Sequence, residues 1–390
     1  MGRRGRGEGT IYYSKTRQKW VVQLSPGPDG RRPLRTADTE AEAIKLKRQL
    51  EAERAVGRDL TRKAETIADL LDDYIDSIAN QVRDTTMLNY QLQVGYISDL
   101  VGTSKIDALS VEGVQRLATS ITRDHGAITA KLCLMRLHTA YERIVPERVA
   151  RNPVDWKRLT LKRLTPTERR PISDDQTRIH LAAADDAESQ GVYARYAIAW
   201  WIAALLGMRR GEICGASWRD LSWERAELHV RQQYAKKLDS SYALGPIKTV
   251  AGVRVLPIGP RLLARLRAHW ELQQAERILL GANWKEHGLI LTHEDGMPVS
   301  PSYLNHVFAR QCTQIKSSYV HPHLLRHTLA SAISEEGFSE AVIAAILGHD
   351  KGANVTRRYT HASERVKRRA VEAVETRIFD PSSEGKKDVS

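Results

Sequence analysis

The longest apolar run in the chain, Tyr193 to Met208 (Y-A-R-Y-A-I-A-W-W-I-A-A-L-L-G-M), limits the folds open to it more than any other stretch. It is shorter than the roughly 20 residues needed to cross a bilayer, and it contains Arg195. A helix that is apolar all round has to be enclosed by protein, so the C-terminal half must supply a core around it. Gly207 breaks the run. The segment that follows, G-M-R-R-G-E at 207–212, places Arg209 at a turn just before a short helix through Cys214. That position suits an arginine aimed into a cleft. Glu212, three residues on, is close enough to orient the guanidinium, although an ordinary surface ion pair would read the same way. Arg210 points elsewhere by helical geometry and reads as surface charge.

A second stretch, His321 to His361, carries H-P-H-L-L-R-H, then L-G-H, then R-R-Y-T-H. His323 and Arg326 stand three apart, with His349 and Tyr359 further on. Two arginines present planar forks that match phosphate oxygens, so Arg209 and Arg326 together suit holding a phosphodiester and neutralising charge that develops on it. A tyrosine hydroxyl, with a pKa of about 10, needs a neighbouring base or cation to attack, which His323 or His349 can supply. The leaving oxygen needs a proton donor, and Lys248 in G-P-I-K-T-V-A-G-V-R-V-L-P-I is a candidate, though a lysine near a loop is usually only a solvated charge. His321, His323 and His327 suggest a metal site, but no glutamate stands between His323 and His327 and no cysteine or carboxylate cluster completes a shell. No metal is expected.

These motifs, in this order and at these separations, resemble those of tyrosine recombinases, and more closely the integrases of bacteriophages and other integrative elements. The likeness is close from about residue 170 to 375 and extends to the N-terminal half only in layout. Leu206 stands where many members carry threonine. The resemblance implies site-specific DNA recombination. Tyr359 would be the nucleophile forming a 3′-phosphotyrosine, with Arg209 and Arg326 clamping the phosphate. Lys248 would protonate the departing 5′ oxygen, and His323 and His349 would assist. It further implies double-stranded DNA with core and arm attachment sites, a homotetramer on two sites, a host DNA-bending protein and a directionality factor, no cofactor, and a bacterial cytoplasm. Two other readings stay open on the sequence: a type IB topoisomerase-like relaxing enzyme and a DNA-binding regulator without chemistry.

Charge agrees with a polyanionic partner, since 60 Lys plus Arg stand against 47 acids for a net charge of +13. The first ten residues hold no apolar segment of the secretory kind, and the three cysteines, Cys133, Cys214 and Cys312, form neither a disulfide framework nor a zinc spacing. No membrane partner is expected. The fold class expected is multidomain, mainly α with small β elements. Residues 1–62 read as a three-stranded sheet plus a helix opened by Thr39 and Glu42, a layout that in integrases binds arm sites; a solvated basic tail on a small sheet is the plainer alternative. Its DNA-binding candidates are Arg3, Arg4, Lys15, Arg17, Lys19, Arg31 and Arg32.

Residues 63–152 show helical stripes, such as Ile67, Leu70, Leu71, Tyr74 and Ile78, and read as a helical bundle; the resemblance implies that it is the core-binding domain. Residues 153–171, rich in basic residues and proline, read as a linker following the phosphate backbone, with Lys162 and Arg163 as contacts. Residues 172–390 read as a mixed α+β catalytic domain with a polar tail. Within it, one helix is expected over Tyr193–Leu206, strands at Glu227–Val230 and Val253–Pro257 joined by the Lys248 hairpin, and a short strand at 289–291.

Overall fold

The computed structural model describes residues 9–14, 18–26, 32, 34–55, 65–162, 170–186, 188, 191–247, 249–348 and 363–380. The chain divides into two compact units, residues 1–166 and 167–390.

The first unit holds two separate hydrophobic clusters. Strands β1 (Thr10–Ser14), β2 (Lys19–Gln23) and β3 (Leu34–Ala37) form an antiparallel sheet in sequence order. Helix α1 (Glu40–Ala55) lays Ala43 and Leu50 against Val22 and Leu24. Its start is fixed by the reciprocal bonds the sequence predicts: the Glu42 amide donates to Thr39 Oγ1 and the Thr39 amide to Glu42 Oε2.

Four helices form the second cluster: α2 (Ile67–Ile78), α3 (Asp84–Val101), α4 (Val111–His125) and α5 (Ala127–Glu142). Leu71, Ile97, Val114, Ile121, Leu134 and Leu137 fill its centre. A single residue, Gly126, joins α4 to α5 with φ +88°, a conformation that a side chain would disfavour. Tyr141, fully buried, donates its hydroxyl to the Ile106 carbonyl at 2.9 Å. The expected linker starts too early at 153. Val154 is buried, Leu159 and Leu161 lie against the bundle core, and Gln115 exchanges two hydrogen bonds with the Thr160 backbone. Composition flagged the charges of this segment and missed that its apolar residues have a helix surface to cover.

In the second unit, α6 (Asp174–Asp185) starts at the Ser173/Gln176 capping box. The apolar run is not one helix. A 3-10 turn covers Gly191–Tyr196, and α7 (Ala197–Leu206) begins after it. The break has a cause in Arg195, which is buried and bonded to the Thr292 and His293 carbonyls and to Glu276; satisfying that charge overrides continuation of the helix. Every residue of α7 after its first is buried, and Trp200 stacks between His180 (5.0 Å) and Phe308 (3.9 Å).

Beyond α8 (Arg210–Gly215) comes a small sheet of β4 (Leu221–Ser222), β5 (Glu227–Val230) and β8 (Arg254–Pro257), with a separate hairpin of β6 (Gln232–Lys236) and β7 (Tyr242–Pro246) inserted between the last two. This two-stranded insertion replaces the simple Lys248 hairpin read from the sequence; its strands bury no residue and carry no alternation. Helix α9 (Pro260–Leu280) follows. Residues 289–291 are fully buried but make only an isolated bridge, Ser217 to Leu289, because their backbone pairs with the loop before the sheet and not with a strand. Helices α10 (Pro301–Gln314), α11 (Pro322–Glu335), α12 (Glu340–Leu347) and α13 (Glu364–Phe379) complete the unit. On α13, Val371, Val374 and Ile378 enter the same core as α7, and Glu375 accepts the Arg261 and Leu262 amides to cap α9. Among the described residues no helix is long and apolar enough to cross a membrane.

One buried histidine gives this unit an acid-sensitive limb. His269 Nε2 donates to the Ile290 carbonyl at 2.7 Å, and burial pushes its pKa from 6.5 down to about 4. The unfolded chain therefore takes up a proton that the folded one refuses, and stability falls as pH drops from about 6.5 to about 4, by about 3 kcal/mol from this residue. His180 and His293 shift in the same direction. The difference between wild type and His269→Gln in denaturant unfolding at pH 7, 5 and 4 isolates the His269 share: the variant is expected to lose less stability across that interval. Parallel curves would remove this assignment.

Candidate active site

Two helix ends meet to form the site. Helix α7 stops at Gly207, which adopts φ +58°; a β-carbon there would come within 2.7 Å of Leu347 and 2.9 Å of Leu329. The turn it makes delivers Arg209 as the residue that begins α8. Helix α12 stops at Gly348, with φ +66°, where a β-carbon would meet the Ala251 carbonyl at 2.7 Å. Both glycines satisfy a left-handed backbone and a close approach at once.

Three arginines converge on the C-terminal end of α12, each taking one of three successive carbonyls. Arg254 Nε donates to Ile346 O at 2.7 Å, Arg326 Nη2 to Leu347 O, and Arg209 Nη2 to Gly348 O at 2.9 Å. These carbonyls lack helical partners and sit at the negative end of the helix dipole, so guanidiniums suit them twice over. Arg326 also donates to Gly207 O at 2.8 Å, which ties the end of α7 to the end of α12.

Among the described residues, Glu212 is the one carboxylate bonded within the group. It is 1% exposed; Oε1 accepts Arg209 Nη1 at 2.7 Å, and Oε2 accepts Arg254 Nη2 at 2.9 Å and the Arg209 amide at 3.0 Å. Burial alone would raise its carboxyl, but Arg254 and Arg209 outweigh it and hold it below the ordinary glutamate value. Burial, with Arg209 and Arg254 adding to it, pushes Arg326 down to about 9 against the pull of Glu212, so it stays cationic at neutral pH. Among the described residues, three guanidiniums stand against one carboxylate, which leaves two positive charges in a largely buried cluster. An arrangement of this kind receives an anion. Its accessible member is Arg209, whose side chain is 41% exposed, while Arg326 is 2% exposed.

The predicted residues fall into three groups. Arg209, Glu212 and Arg326 are brought together as described. His323 lies on the exposed side of α11, with its Nε2 3.2 Å from His327 Nε2; one ring must donate and the other accept, so the pair can hold and pass a proton. His327 is exposed as well. His321 begins α11, its Nδ1 accepting the Leu324 amide. Among the described residues no group of three or more His, Cys, Asp or Glu is placed to hold a metal ion. Lys248, His349 and Tyr359 lie outside the described residues.

Of the DNA-binding candidates, Lys19 on β2 pairs with Asp38 at 2.9 Å, and Arg32 and Lys162 are exposed. Arg3, Arg4, Lys15, Arg17, Arg31 and Arg163 also lie outside the described residues. The residue that sequence reasoning missed is Arg254. Its signal was present in V-R-V-L-P-I, where a charge occupies the inward phase shared with Leu256.

The family model for the phage integrase family matches residues 172–365, the segment that holds every residue of this cluster. An integrase of Streptomyces ambofaciens is 24% identical over 91% of this chain and 92% of its own length, and a XerC-like tyrosine recombinase of Caldanaerobacter subterraneus is 25% identical over 79% and 82%. In fold, the chain is similar to the integrase of transposon Tn1549 solved with transposon right end DNA, with a TM-score of 0.62 at 19% identity over 79% of this chain and 98% of that one. A cationic cluster at two helix ends, placed inside a segment that matches the family, leads to one conclusion: the chain belongs to the phage integrase family, the tyrosine recombinases that cleave and rejoin DNA through a tyrosine.

Proposed function

We propose that this recombinase integrates, and in reverse excises, the DNA of a phage or other mobile element. Tyr359 attacks the scissile phosphate and the bond to the 5′ oxygen breaks, leaving a 3′-phosphotyrosine and a free 5′ hydroxyl. Arg209 and Arg326 hold the phosphate and neutralise the charge that builds on it. Lys248 gives the proton to the departing 5′ oxygen, and His323 and His349 assist proton transfer and charge stabilisation. The phosphotyrosine conserves the energy of the broken bond, so the 5′ hydroxyl of a partner strand rejoins it without a nucleotide cofactor.

The observation that carries this reading is the convergence of Arg209, Arg254 and Arg326 on the end of α12, with a net positive charge and an exposed Arg209 at its edge. Two duplexes carry four strands to be cut, and each protomer supplies one tyrosine, so the working assembly is a homotetramer on paired sites. The residue 1–62 module binds arm-type sites, the residue 63–152 bundle binds the core site, and the basic segment ending near 171 follows the backbone between bundle and catalytic domain. A host DNA-bending protein and a directionality factor complete the assembly, in the cytoplasm of a bacterial cell.

The test uses the intact protein on DNA flanking its gene in the source element, with a nick placed just beyond the candidate crossover and EDTA present. A protein–DNA adduct on a denaturing gel, with recombinant products from paired sites, is the expected result. Relaxation of supercoils without recombinants would move the assignment to a topoisomerase. Tight binding with no adduct on any flanking sequence would reduce the protein to a regulator.

A further inference from the structure

We infer that Arg254 is a positioning residue for Arg209, one that touches no DNA and acts by fixing both hydrogen-bond partners of the clamp. This rests on the recombinase reading above. Arg254 projects inward from β8 with its side chain 4% exposed, a position where an unpaired guanidinium would be strongly unfavourable. It is fully engaged in three directions: Nη2 to Glu212 Oε2 (2.9 Å), Nη1 to Gly252 O (2.8 Å) and Nε to Ile346 O (2.7 Å). Those acceptors belong to α8, to the 3-10 turn before β8 and to the end of α12, so one planar fork joins three elements. Lysine presents a single point charge and cannot span them.

Arg209 takes its geometry from two of the same pieces. Its Nη1 bonds Glu212 Oε1, whose sister oxygen is held by Arg254, and its Nη2 bonds Gly348 O, two residues beyond the carbonyl that Arg254 anchors. The α12 end also rests on the Arg254 stem, since a β-carbon on Gly348 would lie 3.1 Å from Arg254 Cδ. If Arg254 is lost, Glu212 Oε2 keeps only the Arg209 amide, and the end of α12 loses the bond at Ile346 O and keeps those of Arg326 and Arg209. Arg209 keeps its charge and loses its aim.

The experiment compares wild type, Arg254→Gln and Arg254→Lys in single-turnover cleavage of one nicked duplex, made with either an ordinary phosphate or a methylphosphonate at the scissile position. The methylphosphonate carries no charge for Arg209 to meet. On the phosphate, Arg254→Gln is expected to cleave about 10–100-fold more slowly, as when a supporting hydrogen-bond partner is removed, with Arg254→Lys in between and duplex affinity unchanged. On the methylphosphonate the deficit of both variants is expected to shrink towards parity with wild type. An equal deficit on both substrates would mean general damage and would overturn the inference. So would full activity of Arg254→Lys, or loss of cooperative unfolding in both variants, which would make Arg254 a core stabiliser only. Absence of an adduct with wild-type protein would count against the recombinase reading itself, and the two failures are thereby distinguished.

Discussion

Replacing Tyr359 by Phe is expected to abolish the covalent protein–DNA adduct, and with it all recombinant product, while duplex binding persists. The substitution removes one oxygen, the atom that would form the bond to phosphorus, and phenylalanine offers nothing in its place. Binding rests on other groups. A chain with net charge +13 neutralises many backbone phosphates, and the loss of one uncharged hydroxyl leaves that count unchanged. The measurement pairs a denaturing gel for the adduct with a mobility-shift titration on the same duplex. An adduct that persists in the variant would move the nucleophile elsewhere, and peptide mapping of the labelled DNA would locate it. Loss of both signals together would show a folding defect, to be settled by thermal unfolding of the variant.

How much of this could be read in the sequence depends on whether the determinant is local. Thr39 with Glu42 was legible because a capping box is completed within four residues. Arg209 and Glu212 were legible for the same reason: the turn at Gly207 and the spacing of three fix their geometry before any tertiary contact forms. Arg254 was not. Two of its three partners are Glu212, 42 residues back, and Ile346, 92 residues ahead, and no periodicity links them. The β6–β7 insertion was missed because its strands bury no single face, and the 289–291 segment was misread because burial alone does not separate a strand from a loop threaded through the core. Arg195 looked like an exception in an apolar run, yet it lies in the last turn of the preceding 3-10 segment and sets where α7 begins.

The buried carboxylate at the centre of the site gives the second large effect. Glu212→Gln is expected to cost the C-terminal unit about 3–5 kcal/mol of unfolding free energy at neutral pH, the range seen when one member of a buried charge pair is removed and the other left unpaired. The two arginines do not share that loss equally. Arg209 is 41% exposed and water screens it, so the larger part comes from Arg254, which is 4% exposed and cannot reach solvent without unfolding its surroundings. The amide also turns an N–H pair towards guanidinium N–H donors, and it withdraws the charge that opposes the fall in the Arg326 pKa.

Acid should produce a related effect in wild type. The Glu212 carboxyl lies below its ordinary value in the fold, so its contribution is complete above about pH 4.5 and is lost as pH falls through the folded value, a lower limb that starts at the acid end of the His269 window. In Glu212→Gln that lower limb should be missing while the His269 limb remains. A loss of 1 kcal/mol or less, flat with pH, would make Glu212 an ordinary surface pair and would remove the central support from the arrangement of Arg209, Arg254 and Arg326.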